Sequence, residues 1–194
     1  MSRIVYFHGF ASSGASGSVL LLRRYFMKDK VLAPDIPLDP AEALPFLRSY
    51  CEREQPDLII GSSMGGMYAQ QMRGFFRICV NPAFEMSKMY NVMRVGAFEW
   101  TNKREDGEKK GHVTKEILAH LREMEEHQFE GVTPDEQILC YGLFGRQDDR
   151  VTGGYDIFTR YYPNAAWFEG GHRLSDEIMK AAVVPLAKEL LGED

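Results

Sequence analysis

Residues 57–67 read Asp57-Leu-Ile-Ile-Gly61-Ser62-Ser63-Met64-Gly65-Gly66-Met67, which sets G-x-S-x-G between a short apolar run and a stretch of helical period that continues through Tyr68 and Met72. A sharp turn from strand to helix forces the middle serine into strained backbone, and glycines at 61 and 65 remove the side chains that would collide there. Ser63 is therefore expected to project at the C-terminal edge of a sheet. Its hydroxyl would lie at a helix N-terminus, where free N–H groups and the dipole favour developing negative charge. That is the setting of a nucleophile; the competing reading is a glycine turn with only a structural role.

A serine hydroxyl needs a base, and the chain has five histidines: His8, His112, His120, His127 and His172. His172 ends Trp167-Phe168-Glu169-Gly170-Gly171-His172, a flexible turn after the last apolar run and before the last helical one. This puts it on the same edge as Ser63 and makes it the expected base. His8, in Phe7-His8-Gly9-Phe10, closes the first run and is expected at that edge too. His112, His120 and His127 are spaced so that, at about 1.5 Å rise per helical residue, they stand more than about 10 Å apart. They read as a solvated helix face, with no metal site. An orienting carboxylate for the base is expected in Gly145-Arg146-Gln147-Asp148-Asp149-Arg150-Val151, where either aspartate could reach His172. The chain order of serine, aspartate and histidine is that of one of the three unrelated triad arrangements.

The elements that must hold these residues follow from periodicity. Apolar, β-rich runs at 3–7, 31–36, 57–61, 77–80, 138–144 and 165–168 alternate with helical segments near 16–28, 41–54, 64–75, 113–128, 153–162 and 175–191. Such alternation predicts an α/β fold: a three-layer α/β/α sandwich with a mostly parallel central sheet of about six strands, buried on both faces. Ser175 can cap the last helix, with Asp176 and Glu177 at its positive end and Leu174 stapled onto Met179. Asp39-Pro40-Ala41-Glu42 starts the second, where Pro45 is expected to delay or kink it. Between 84 and 131 the alternation stops. Met86, Met89, Tyr90, Met93, Phe98 and Trp100 precede a charged stretch, 101–111, and a helix with Val113, Ile117, Leu121 and Met124 inward. The reading is a single domain over 1–194 with 84–131 as a helical lid or cap insertion and 101–111 as a mobile loop. Met93, Phe98 and Trp100 are then candidate substrate-binding residues, since methionine adapts to varied apolar groups. The alternative is that they only pack the insertion onto the body.

Composition narrows the partners. The 194 residues are 26% charged and 44% hydrophobic, which excludes disorder and fibrous repeats. A net charge of -5 with no long basic run argues against nucleic acid. No stretch reaches the ~18 apolar residues of a membrane span, and the start MSRIVYFHGF lacks the pattern of a signal peptide. The expectation is a cytoplasmic protein without a membrane partner. Cys51, Cys79 and Cys140 lack metal-ligand spacing and read as reduced packing residues. The Gly/Ser-rich loop 9–18 lacks both the lysine of a P-loop and the glycine pattern of a dinucleotide site.

Four motifs, HGF (8–10), GSSMGG (61–66), GRQDDRV (145–151) and GGH (170–172), together resemble the α/β-hydrolase superfamily over nearly the whole chain. YFHGFASS near the N-terminus, the GSSMGG elbow and Val80-Asn81-Pro82-Ala83 are similar to the small bacterial YqiA-like esterases, compact hydrolases lacking the first antiparallel strands of the larger fold. The resemblance implies a serine hydrolase of short-chain acyl esters or thioesters, with Ser63, Asp148 and His172 as triad, a small-molecule substrate and no cofactor. It favours Asp148 over Asp149, because G-x-x-D-x-x-V is the spacing the family uses there. It also implies that the His-Gly turn is an oxyanion loop, with Phe10 and Met64 N–H as donors and His8 packed or hydrogen-bonded beneath it. The alternative from another class is a scaffold of this fold that binds a small ligand or a protein without catalysing. Chain length, leaving group and oligomeric state are not legible in the sequence.

Overall fold

The structure is a computed structural model describing residues 1–193. Six strands form a parallel sheet in the order β2-β1-β3-β4-β7-β8: β1 (Arg3–Phe7), β2 (Lys30–Leu32), β3 (Leu58–Ser62), β4 (Arg77–Val80), β7 (Cys140–Gly145) and β8 (Asn164–Phe168). The registers pair Phe7 with Gly61, Ser62 with Val80 and Gly145 with Phe168. Five strands therefore end together, and the loops after them share one edge.

Alternate residues of the strands enter two cores, as burial on both faces requires. Ile4, Tyr6, Leu58, Ile60, Ile78 and Leu143 pack against α1 (Gly17–Tyr25) and the C-terminal helix. Val5, Phe7, Ile59, Cys79 and Phe144 pack against α2 (Pro40–Glu54), α3 (Met64–Gln70), α4 (Lys115–His127) and α6 (Gly154–Thr159). The three cysteines are buried and free, with Cys79 Sγ 3.8 Å from Cys140 Sγ.

Several local expectations need correction. α2 runs through Pro45 unbroken: Asp39 accepts from Ala41 N–H at 2.9 Å, and Ala43, Leu47 and Cys51 bury one face, which outweighs the single ladder bond lost at proline. α3 ends at Gln70, short of the expected 64–75, and the chain then turns through Gly74 at a left-handed φ of 82°. A polar helix, α5 (Pro134–Ile138), precedes β7 and buries no residue, so no hydrophobic period announced it. The C-terminal helix runs from α7 (Asp176–Ile178) through a π-helical turn, Met179–Val183, to α8 (Val184–Leu191). Ser175 caps it by accepting from Ile178 N–H at 3.3 Å.

The segment 84–131 is not purely helical. A 3₁₀ turn (Met86–Lys88) leads to an antiparallel hairpin of β5 (Gly96–Glu99) and β6 (Lys110–Val113), then α4. His112, expected on a helix face, lies on β6. The charged stretch after β5 is fastened to the body: Thr101 N–H donates to Ala11 O at 2.7 Å, Ser13 Oγ to Lys103 O at 2.7 Å, and Glu105 N–H to the Asp35 carboxylate at 2.7 Å. The buried Arg104 stacks on the Trp100 ring at 4.3 Å. Charge alone suggested a free loop; partners distant in sequence hold it down.

Candidate active site

Ser63 sits between β3 and α3 with φ 55° and ψ −122°, conformations an L-residue adopts only when the surroundings impose them. Here its N–H donates to Val80 O at 3.0 Å, and its carbonyl accepts from Gly66, Met67 and Ala83 N–H at 2.9, 3.1 and 3.1 Å. The flanking glycines are obligatory by contact. A Cβ on Gly65 would lie 2.0 Å from Phe7 O, and one on Gly61 would lie 2.2 Å from Gly65 O. Beneath the turn, the Tyr6 and Ser62 hydroxyls share a 2.7 Å hydrogen bond.

The loop after β7 brings Asp148 to the loop after β8. His172 Nδ1 lies 2.8 Å from Asp148 Oδ2, while Asp148 Oδ1 accepts from the N–H groups of Arg150 and Val151 at 2.9 and 3.1 Å. Burial pushes the Asp148 carboxyl up, but the His172 hydrogen bond and the two backbone donors prevail and hold it below its ordinary range. The ionised carboxylate orients the His172 ring by accepting from Nδ1. Asp149 is exposed and takes no part in this network. Ser63 and His172 line one cleft, although no hydrogen bond joins their side chains among the described residues; such contacts often tighten only around substrate.

Asn81, which the sequence offered only as part of a motif, ties the two loops together. It caps β4 in left-handed backbone with φ 44°. Its Oδ1 accepts from Gly145 N–H at 2.7 Å, and its Nδ2 donates to Gly171 O at 3.1 Å and His172 O at 3.4 Å. One buried amide thus spans the acid loop and the base loop. The usable signal was its type and place, because asparagine tolerates φ above zero at a strand end.

The His8 loop lies directly against the elbow, where a Cβ on Gly9 would be 3.4 Å from Ser63 Cβ. His8 is buried: Ile36 N–H donates to Nε2 at 3.0 Å, and Nδ1 is 2.8 Å from Gly9 O. An acceptor at Nε2 leaves the proton on Nδ1, donating to Gly9 O, so the ring is neutral. Burial, the largest influence, drives its pKa down to about 4. Met64 opens α3, so its N–H has no partner within the helix. Phe10 borders the same cleft as Ser63.

The cleft encloses about 800 Å³, and its apolar lining includes Met86, Met89, Val92, Leu20, Leu21 and Leu174. The residues expected to bind substrate stand behind this wall. Met93 is 1% exposed within the core. Phe98 is wedged between Phe10 and Trp100, with ring centroids at 4.7 and 4.8 Å. Trp100 borders a separate void of about 20 Å³ with His8, Met64 and Tyr68. The hairpin accounts for this, since it folds Phe98 and Trp100 onto the body, whereas the 3₁₀ turn before it presents Met86 and Met89 to the cleft. His120 pairs with Asp39 and His127 with Glu130, and no cluster of three or more metal-ligating side chains occurs among the described residues.

A six-stranded parallel sheet, helices on both faces and a serine on the elbow after the third strand define the α/β-hydrolase fold. A family model described as "Uncharacterised protein family (UPF0227)" matches residues 3–128, and the chain belongs to that family. Est1E from Butyrivibrio proteoclasticus, solved with ferulic acid bound, is similar in structure with TM-score 0.69 at 14% identity, over 100% of this chain and 90% of that one. The esterase domain of a Rhodothermus marinus protein matches with TM-score 0.65 at 16% identity, over 97% and 87% of the two chains. A structure described under carboxylesterases of the thaumarchaeon Nitrososphaera gargenis matches with TM-score 0.57 at 14% identity, over 98% and 91%. At these identities the likeness is one of fold. No helix among the described residues is long and apolar enough to cross a membrane.

Proposed function

We propose that this chain is a serine hydrolase of carboxylic esters or thioesters with short acyl groups, acting through Ser63, His172 and Asp148, with segment 84–131 as the cap over a single hydrolase domain. The observation that carries the reading is the imposed backbone of Ser63, strained where a merely structural turn needs no strain, at the mouth of a cleft that His172 also lines. His172 Nε2 takes the Ser63 proton as Oγ bonds to the acyl carbon, and the carbonyl electron pair moves onto oxygen, facing Phe10 and Met64 N–H. Collapse of this adduct breaks the bond to the leaving oxygen or sulfur, which receives the proton from His172. Water, deprotonated by the same ring, then releases the acid and restores Ser63. Asp148 holds the imidazole tautomer and stabilises the imidazolium. No step requires a cofactor.

The test is intact mass after a fluorophosphonate probe, on the wild type and on Ser63→Ala. A single adduct on the wild type and none on the variant is expected. An unlabelled, folded wild type, or a labelled variant, overturns the reading.

A further inference from the structure

The order of the strands sets a problem of distance. Ser63 follows β3 and His172 follows β8, with β4 and β7 between them, so at about 4.8 Å per strand the two carrier strands lie about 14 Å apart across the sheet. The loop after β8 must therefore return across the end of β7 to bring its histidine to the serine. Pairing within the sheet does not fix where that returning loop stops.

The turn after β4 supplies the stop. Asn81 is buried there, and both ends of its amide are used. Oδ1 takes the Gly145 N–H, and the carbonyl of the same glycine accepts from Asp148 N–H at 3.1 Å, so the acid is two hydrogen bonds away. Nδ2 donates to Gly171 O and His172 O. The reverse orientation of the amide would set N–H against N–H and oxygen against two carbonyls, so the side chain has one satisfied pose. Its neighbours in the turn hold the nucleophile: Val80 O accepts from Ser63 N–H, and Ala83 N–H donates to Ser63 O. The other polar ties of segment 169–172 run to the acid loop: Gln147 N–H to Gly170 O at 3.0 Å, Gln147 and Arg146 to the Glu169 carboxylate, and His172 to Asp148. Those bonds hold acid and base to each other. Among the described residues, only the Asn81 amide joins the base loop by hydrogen bonds to the turn that also holds Ser63.

We infer that Asn81 is a positioning residue for the hydrolysis: through the carbonyls of Gly171 and His172 it sets the Asp148–His172 pair, as a unit, within reach of Ser63. This rests on the hydrolase reading above and gives the turn Val80-Asn81-Pro82-Ala83 a part in it. Asn81 does not line the cleft, so it acts on the separation of base and nucleophile rather than on substrate. That separation is a sensitive one, since a misplacement of about 1 Å can cost about 10²-fold in rate. The φ of 44° at this position is open to glycine and aspartate as well, so the side chain can be changed without straining the turn.

The experiment uses two variants of the full chain. Asn81→Gly removes every side-chain bond, whereas Asn81→Asp, in alkaline buffer where its carboxyl is ionised, keeps the acceptor for Gly145 N–H and turns an oxygen toward the two base-loop carbonyls. For the folded variants, kcat on 4-nitrophenyl butyrate and the rate of fluorophosphonate labelling should each fall at least about tenfold, with KM within about twofold of the wild type. The downfield proton resonance of His172 Nδ1–H should persist in both, the mark of an intact acid and base pair that is no longer delivered to Ser63. Wild-type kcat and labelling in folded Asn81→Gly overturn the inference. So does a loss carried by KM alone, full activity in Asn81→Asp, or disappearance of the Nδ1 resonance, which would make the amide a brace within the pair. If neither variant folds, the amide serves the fold and the inference fails as well. A wild type that is neither labelled nor active brings down the hydrolase reading itself, an outcome distinct from an active wild type with unaffected variants.

Discussion

The elbow and the cap are held in opposite ways. Around Ser63 the constraint is steric and local: glycines pressed on backbone carbonyls, and one residue's N–H and C=O tied to β4, α3 and the turn after β4. The hairpin of the cap is held by polar contacts reaching about ninety residues back, from Lys103 to Ser13 and from Asn102 to Ser12, together with a few apolar ties, Phe98, Trp100 and the buried Val113. A close-packed steric constraint is all-or-none, whereas single partly buried hydrogen bonds contribute about 1 kcal/mol each, so no one of them decides the fold. The proposed function accordingly puts the chemistry in the first region, where position is fixed, and any adjustment to substrate in the second.

Breaking the first region should give the largest effects. Asp148→Asn is expected to lower kcat about 10³- to 10⁴-fold by losing the imidazole orientation, while Asp149→Asn changes it less than about threefold. Equal losses in steady-state assays would overturn the assignment. Next, Gly65→Ala should destabilise the protein by more than about 3 kcal/mol or prevent folding, since the new methyl meets backbone at 2.0 Å; denaturant melts check this, and a near-neutral result would mean the elbow relaxes freely.

His8 gives an intermediate effect with a definite sign. Its folded pKa of about 4 lies below the ordinary 6.5, so the unfolded chain takes up the proton first as pH falls. The contribution is complete above about pH 6.5 and is lost between there and about pH 4, some 3 kcal/mol in all. Urea midpoints against pH should show this slope in the wild type and lose that part of it in His8→Gln; parallel profiles would contradict the neutral, buried ring. Smallest of all, Ser13→Ala removes the buried hydroxyl's bond to Lys103 O and its bond from Ala15 N–H and should reduce stability by about 1–2 kcal/mol, raising KM more than it lowers kcat. A purely kcat effect would show that the hairpin serves the chemistry directly.

The same contrast explains what the sequence could disclose. The parallel sheet was legible because β1, β3 and β4 are buried on both faces and read as unbroken apolar runs, with β1 and β4 bounded where the pattern put them. The elbow was legible because its geometry demands glycine at fixed offsets. The hairpin strands GAFE and KGHV were not: four residues with mixed polarity carry no usable period, and their pairing is settled by Trp100 N–H on Lys109 O and by the body beneath. Asn81 escaped for a related reason. Its partners lie 64 to 91 residues further on, so its identity acquires meaning only when three strands end together.

The hook from Thr101 N–H to Ala11 O has one more effect. Ala11 directly follows Phe10 and is itself held at φ 58°, so the stretch after β5 is fastened to the same loop that lies against the elbow. Thr101 also lines the cleft, so the residue that fastens the hairpin to this loop borders the space beside Ser63. Under the proposed mechanism this makes Thr101 a place where the fit of a molecule in the cleft and the setting of the loop that carries Phe10 meet.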